Sequence, residues 1–474
     1  MRRNIPFGLT LLVLSLSAHA QSPTPTPESP NFANQVQSIP EVTEPVSKQD
    51  GAQGFFADDS LSLLTRNFWA RETGDRDTYY RIQKDYGVEQ TRRRYAWVQG
   101  TQLKYSSGYT QGALGFGIDL ALFNAINLER GHGRIAGGGN RTLANGEGDA
   151  LDSWSKLGVA DVRLRLSNTE LKAGRFLVDT PVFNYIDNRP LPSSFEGLGL
   201  VSEEWQNLAL QAGSFDRVSP RTGAGDEPFT TEYGDRTAEA DRMSYLGGTY
   251  TPTSSLAFSL YGARFEDIWD QVYFSASHTA GDATSLSLQT QLNYYHTQDQ
   301  GAQKAGYIDN DAYSLSFTAT HQAHGLTLGL QQIEGDEYFD YVHETSAIYL
   351  ANSLFSDYNG PNEKSVQLRY GTDWGQLGVP GLTTSLWWAR GWNVDGTHYD
   401  GGRNGRHANY ADVLIQDDEH HYETGLLTAY KVQSGPIKDA LFKATYIVHR
   451  ASENQSDGNL SEVRITSTFP FELL

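Results

Sequence analysis

The sequence predicts an all-β fold, a transmembrane antiparallel β-barrel of about 18 strands. Three observations predict it. Apolar and polar residues alternate with period 2 along most of the chain, and the connections between these segments alternate between short and long. The composition also suits strands and turns: 474 residues carry 12% aromatics, 47 Gly, two Met and no Cys. Mean hydropathy is only −0.51. No stretch of about 18 to 20 apolar residues lies outside the N-terminus, so no spanning helix is expected.

Taken from the N-terminus, "MRRNIPFGLTLLVLSLSAHA" has Arg2 and Arg3, an apolar stretch and a small-x-small end at Ala18-His19-Ala20. Residues 1–20 read as a secretory signal peptide. An exported chain without cysteine has no disulfides, so its core or its sheet must supply the stability. Removing two arginines takes the formal charge from −20 to −22. That acidity argues against nucleic acid as a partner and against wholesale affinity for anionic lipid. Residues 21–53 are rich in Pro, Ser, Thr and Gln and read as a disordered extension or periplasmic spacer. The barrel is expected over 54–474.

Within that span "GALGFGIDLAL" sets Leu114, Phe116, Ile118 and Leu120 against Gly115, Gly117 and Asp119. The stretch "DVRLRLSNTELKAGR", Asp161 to Arg175, reads as a hairpin turning at Ser167-Asn168. Its Val162, Leu164 and Leu166 share one face; Asp161, Arg163 and Arg165 share the other. "SSLAFSLYGA", "SLSLQTQLNYY", "DAYSLSFTAT", "HGLTLGLQQ" and the terminal "SEVRITSTFPFELL" repeat the pattern. Counting such segments gives about 18, each roughly 9 to 13 residues long, the length of a tilted strand crossing a bilayer.

Short connections fall at Ser167-Asn168, "TPTSS", "HQAHG", "GQLGVPG" and "QSGPIKD"; long polar ones fall at 71–91, 129–151, 176–193, 216–241, 335–363 and 391–418. Short periplasmic turns and long outer loops produce this rhythm, whereas a β-helix or propeller would show a repeat period. If the leucine face of each strand meets lipid, the arginine face meets a lumen, and a wet one, because dry unpaired charges are too costly. Tyr95, Trp97, Tyr250, Trp388 and Tyr430 sit where interfacial girdles belong, although each could equally be packing.

The stretches "LTRNFWARE", "WVQGTQLKYSSGYTQGALGFGIDL", "LPSSFEGLGL", "YGARFEDIWDQVYF", "FDYVHETSAIYLANSLFSDYNGPNEKSVQLRYG", "GVPGLTTSLWWARG", "VQSGPIKDALF" and "VRITSTFPFELL" closely resemble the OprD family of Gram-negative outer-membrane porins. The order is the family's, along nearly the whole mature chain, and the likeness is greatest to its basic-amino-acid branch. The resemblance implies a monomeric barrel integral to the outer membrane, among its lipid and lipopolysaccharide. It implies passage of small solutes: amino acids, small carboxylates and, as for some relatives, antibiotics. It implies outer loops folded inward to an eyelet and a ladder of basic residues guiding the carboxylate.

Residue by residue, the resemblance places the eyelet arginine of "NRPLP" at Arg189 and the acidic side of "LANSLFSDYNGP" at Asp357, with Ser353 nearby. Tyr233 and Tyr341 match aromatic positions of the inward loops. The ladder would comprise Arg71, Arg94, Lys443 and Arg464, with Arg369 as a weaker member. Ala429 and Thr445 stand where related chains carry further cations, and Lys431 would compensate only through a register shift.

Physics favours such a pairing independently of the family. A free amino acid bears both charges, so cations on one wall and a carboxylate opposite replace its hydration from both ends. Other motifs carry less. "GRIAGGGNR" lacks the phosphate-loop lysine and follows no buried parallel strand. "QDDEHHY" could hold a divalent cation but is read as a solvated loop, and no metal or cofactor is assigned. His, Asp and Ser occur without a nucleophile-elbow context. Two classes remain: a passive substrate-selective porin, which is favoured, and an outer-membrane barrel hydrolase or adhesin. The hydrolase would gather nucleophile, His and acid at the outer rim.

Overall fold

The structure, a computed structural model, describes residues 47–474 except 77, 85–86, 130–142, 144–150, 235–236 and 402–408. Residues 1–20, most of the extension 21–53 and the run "GRIAGGGNR" lie outside the described residues.

One antiparallel sheet of 18 strands closes on itself. In chain order its strands are β1 (Ser60–Gly74), β2 (Arg93–Ser106), β3 (Leu114–Asn127), β4 (Ser153–Leu166), β5 (Thr169–Phe176) and β6 (Ser194–Trp205). There follow β7 (Leu208–Ser219), β8 (Met243–Thr253), β9 (Leu256–Phe265), β10 (Trp269–Asp282), β11 (Leu286–Asp299) and β12 (Asp309–His321). The set ends with β13 (His324–Glu334), β14 (Lys364–Asp373), β15 (Leu382–Val394), β16 (Glu419–Lys431), β17 (Leu441–Ala451) and β18 (Leu460–Glu472). β1 pairs with β18 from Ser62↔Glu472 to Gly74↔Leu460, which closes the barrel and leaves no sheet edge. The short connections read from the sequence gather at one end with the start of β1 and the end of β18, and the long ones at the other, together with the three-residue connection 266–268.

The period-2 pattern divides outside from inside as expected. On β3, Leu114, Phe116, Leu120 and Leu122 are exposed while Gly115, Gly117, Asp119 and Ala121 are buried. On β4, Val162, Leu164 and Leu166 face out, whereas Asp161, Arg163 and Arg165 are at most 5% exposed. Trp97, Tyr250, Trp388 and Tyr430 all point outward; Trp388 does so from mid-strand, and the side chain of Tyr95 lies outside the described residues.

The arginine face of the β4–β5 hairpin is not the open wet wall that the sequence suggests. Arg163 pairs with Asp119 at 3.3 Å, and the guanidinium of Arg165 lies 3.8 Å from the ring centroid of Tyr109. Residues 47–53, from the end of the Pro-rich stretch, cover this corner. Gln49, 2% exposed, accepts a hydrogen bond from Arg165 Nε and donates to the carbonyls of Thr110 and Gly112. Lys48 pairs with Glu203. Arg163, Arg165 and Lys48 are tolerated here because each has a local partner.

Loops fill much of the interior. Val178, Val182 and Phe183 of loop 177–193, Phe229 of loop 220–242, and Phe339, Val342 and Leu350 of loop 335–363 join one aromatic-rich core with wall residues such as Phe195, Phe215 and Tyr295. A second cluster lines the facing wall with Phe68, Ala96, Val98 and Phe123, and takes in Leu191. Loop 177–193 therefore bridges the two clusters. Isolated bridges Tyr185↔Thr345 and Thr231↔Val342 stitch the three inward loops together. The first long connection is shorter than the span 71–91 suggests: β1 runs to Gly74, and Tyr80–Lys84 pairs with Gly87–Thr91 as a small hairpin.

Candidate channel constriction

The cationic side is built on loop 177–193. Arg66, inward on β1 and 5% exposed, donates from Nη1 to Asp187 Oδ1 at 2.7 Å and from Nη2 to Oδ2 at 2.9 Å. A third hydrogen bond from Nη1 reaches the Arg189 carbonyl at 2.7 Å. Pro190 then lies flat on β2 at Gly100, where a Cβ would stand 2.6 Å from the Pro190 oxygen. Leu191 plugs into the Phe68 cluster. The run "NRPLP" is thus an anchor for Arg189: one residue is held by its carbonyl and the next two by packing.

The Arg189 guanidinium lies 6.0 Å from the ring centroid of Phe68, and that of Arg464 lies 5.7 Å from the same ring. Burial, together with the charges of Arg464 and Arg221, pushes the Arg189 guanidinium well below the usual arginine range, with Glu462 acting against them. A buried cation among cations is a pole that an arriving carboxylate relieves.

The expected ladder divides. Arg94, Arg369, Lys443 and Arg464 lie on inward faces of β2, β14, β17 and β18. Arg94 pairs with Glu72 at 2.6 Å and Arg464 with Glu462 at 2.7 Å, so this track is cation with carboxylate, not cation alone. Arg369 donates to Gln367 Oε1 at 2.8 Å. Arg71 is a correction: it is exposed on the outer face of β1, because Ala70 and Glu72 take the inward parity. Arg66, on that inward parity, does the inward work.

At the departures, Ala429 and Thr445 both point inward and are buried, Ala429 opposite Lys443 and Thr445 opposite Leu427. The β16–β17 register runs unbroken, so no shift moves Lys431 into their place. Lys431 instead pairs with Asp439 at 3.0 Å near the short-turn end.

The acidic side assembles as one cluster. Asp357 accepts hydrogen bonds from Ser353 Oγ at 2.6 Å, Tyr341 OH at 2.6 Å and Tyr233 OH at 2.8 Å. Burial pushes its carboxyl up, against three hydroxyls that favour the ionised form. Its backbone is held by Gln331 Nε2 from β13, donating to the Asp357 and Tyr358 carbonyls. Behind it Asp340 accepts from the N–H groups of Glu232, Tyr233 and Tyr341 and from Tyr410 OH, joining three loops. Sequence reasoning missed Arg66, Asp187, Gly100 and Asp340. Gly100 stands within "WVQGTQLKYSSGYTQGALGFGIDL", but a glycine in a strand marks close approach without saying by what.

At the outer rim His421, His449 and Asp457 come together, with Ser356 close by. The Ser356 hydroxyl donates to Asp457 at 2.6 Å and not to a histidine nitrogen, so this group lacks the nucleophile–base contact of a hydrolase.

A closed barrel with inward loops joining a cationic and an acidic cluster defines a channel-forming outer-membrane porin. The chain belongs to the OprD family: residues 53–473 match the family described as outer membrane porin, OprD family. It is 36% identical to Porin D of Pseudomonas aeruginosa over 440 residues, 90% of this chain and 94% of that protein. It is similar in structure to OccD3 (OpdP) of Pseudomonas aeruginosa, with a TM-score of 0.82 and 56% identity, covering 95% of this chain and 100% of that one. The crystal structure of Pseudomonas aeruginosa OpdK with vanillate matches at a TM-score of 0.76 and 29% identity, covering 88% of this chain and 100% of that one. The protein is integral to the Gram-negative outer membrane.

Proposed function

We propose that this porin is a passive, substrate-selective channel for small carboxylate-bearing nutrients, foremost basic amino acids or small peptides. The observation that carries this reading is the pair of opposite poles: Arg189 among Arg464, Arg221 and Arg94, and Asp357 held by three hydroxyls. A solute with a carboxylate and an ammonium or guanidinium satisfies both poles at once, whereas glucose satisfies neither. Carboxylates on the ladder, Glu72 and Glu462, keep Arg94 and Arg464 partly engaged, so an anion is held loosely enough to leave. OpdK, crystallised with vanillate, supports a carboxylate as the guided group.

In this reading residues 1–20 are removed on export, the Pro-rich stretch ends in the segment 47–53 that covers the short-turn end, and the channel works as a monomer. Arg71, outward near the outer end of β1, faces lipopolysaccharide headgroups instead of solute. Uptake into liposomes holding the purified protein tests the proposal. Arginine and lysine should enter faster than glucose and a dicarboxylate; entry of all four according to size alone would make it a general pore.

A further inference from the structure

At the outer end of the barrel His421 on β16, His449 on β17 and Asp457 in the loop 452–459 converge, with one ligand atom of each within 4.8 Å of the others. Both histidines are buried, and the Asp457 side chain, 28% exposed, opens the group to its surroundings. His421 Nδ1 lies 2.8 Å from His449 Nε2 and 4.0 Å from Asp457 Oδ2. The ring of Tyr358 stacks on His421 at 4.4 Å between centroids and fixes its plane.

The far nitrogens fix the tautomers. His449 Nδ1 lies 2.7 Å from the Gly458 carbonyl oxygen, which can only accept, so Nδ1 carries the hydrogen and Nε2 presents a lone pair. His421 Nε2 lies 2.6 Å from Glu363 Oε1 and donates to that carboxylate, which leaves Nδ1 turned toward His449 Nε2. The two nitrogens share one proton across a 2.8 Å gap beside a carboxylate, and a metal ion that displaces this proton finds both nitrogens aimed at it.

We propose that His421 Nδ1, His449 Nε2 and Asp457 form a binding site for one divalent transition-metal ion. Two imidazole nitrogens and one carboxylate oxygen suit Zn²⁺ or Cu²⁺, with a further position left open. Glu363 and the Gly458 carbonyl are the outer partners that orient metal-bound imidazoles. Nitrogens on one tetrahedral zinc stand about 3.3 Å apart, so the rings need to part by only about half an ångström. The hydrogen bonds that Asp457 accepts from Ser356 and Gln455 both end on Oδ2, so Oδ1 can turn to the ion. Without metal, a shared proton holds the gap. The ion would tie together β16, β17, the loop 452–459 and, through Glu363, the end of the loop that carries Asp357.

Copper and zinc salts, added alone to the untagged full-length protein, test this. Cu²⁺ is expected to give an electron paramagnetic resonance spectrum with hyperfine splitting from two nitrogens at one ion per chain. Zn²⁺ should bind with affinity about tenfold or more weaker in His421→Gln and His449→Gln, with a smaller loss in Glu363→Gln. Barrel assembly of each variant is checked by heat-modifiable migration. Equal affinity in wild type and assembled variants would overturn the proposal. Should a variant not assemble, the wild-type copper spectrum decides: oxygen-only coordination, or no stoichiometric binding, overturns it.

Discussion

Arg66 and Asp187 meet through two parallel hydrogen bonds, 2.7 and 2.9 Å long, from the barrel wall to the inward loop. A bidentate guanidinium–carboxylate pair fixes angle as well as distance, and the third bond, to the Arg189 carbonyl, transmits that geometry to the next side chain but one. Arg66→Ala leaves Asp187 and a carbonyl without their donor, at a cost on the order of 3 kcal/mol. The expected outcome is faster hydrogen exchange over residues 185–191 and uptake selectivity falling toward that of Arg189→Ala. Unchanged exchange there would show that packing alone holds the loop.

Gly100 permits the same loop to lie against β2. Gly100→Val should push Pro190 away from β2 into the lumen, because even a Cβ meets backbone atoms at 2.6 Å. The barrel should still assemble, as judged by heat-modifiable migration, while discrimination between arginine and glucose falls. Loss of assembly would place this contact in barrel folding as well.

Arg71 and Arg94 separate wall from lumen. Arg94→Ala removes the partner of Glu72 inside the barrel and should lower arginine uptake several-fold, whereas Arg71→Ala should leave it unchanged. Equal effects of the two substitutions would contradict the assigned faces.

Asp340 makes the loop junction sensitive to pH. Burial pushes its carboxyl up to about 7, although four donors point at it. A raised acid pKa means that the folded protein binds the proton more tightly than the unfolded chain, where Asp titrates near about 3.9. The stabilisation is therefore complete below about 4 and is lost as pH rises through about 7. Exchange protection at 231–233 and 340–342, corrected for intrinsic rates, should fall from about pH 5 to about pH 7.5. The fall should be absent in Asp340→Asn; an identical profile in that variant would assign the effect to another group.

The barrel was legible because strand parity is a local signal: Leu164 beside Arg165 is enough to tell lipid face from lumen face. Parity failed where aromatics stand on both faces. Phe68 inward and Trp69 outward leave β1 without a clear greasy side, so no local pattern stood against the Arg71 that the family resemblance placed in the lumen, where Arg66 belongs. Asp357, Ser353, Tyr233 and Tyr341 could be named from the family resemblance, yet their meeting at one carboxyl depends on two loops, 220–242 and 335–363, packing together, which no local pattern records. The same holds for His421. In "QDDEHHY" it reads as part of a solvated run, but two of those residues lie on opposite faces of β16, His420 exposed and His421 buried.

In the proposed function, opposite poles at Arg189 and Asp357 select the solute. The most direct measurement is the ratio of arginine to glucose uptake in liposomes for wild type, Arg189→Ala and Asp357→Asn, each checked for barrel assembly. The two-pole account predicts a high ratio in wild type that drops in both variants, with entry of a dicarboxylate lowered by Arg189→Ala and raised by Asp357→Asn. A ratio near that of the free diffusion coefficients in all three proteins would contradict it.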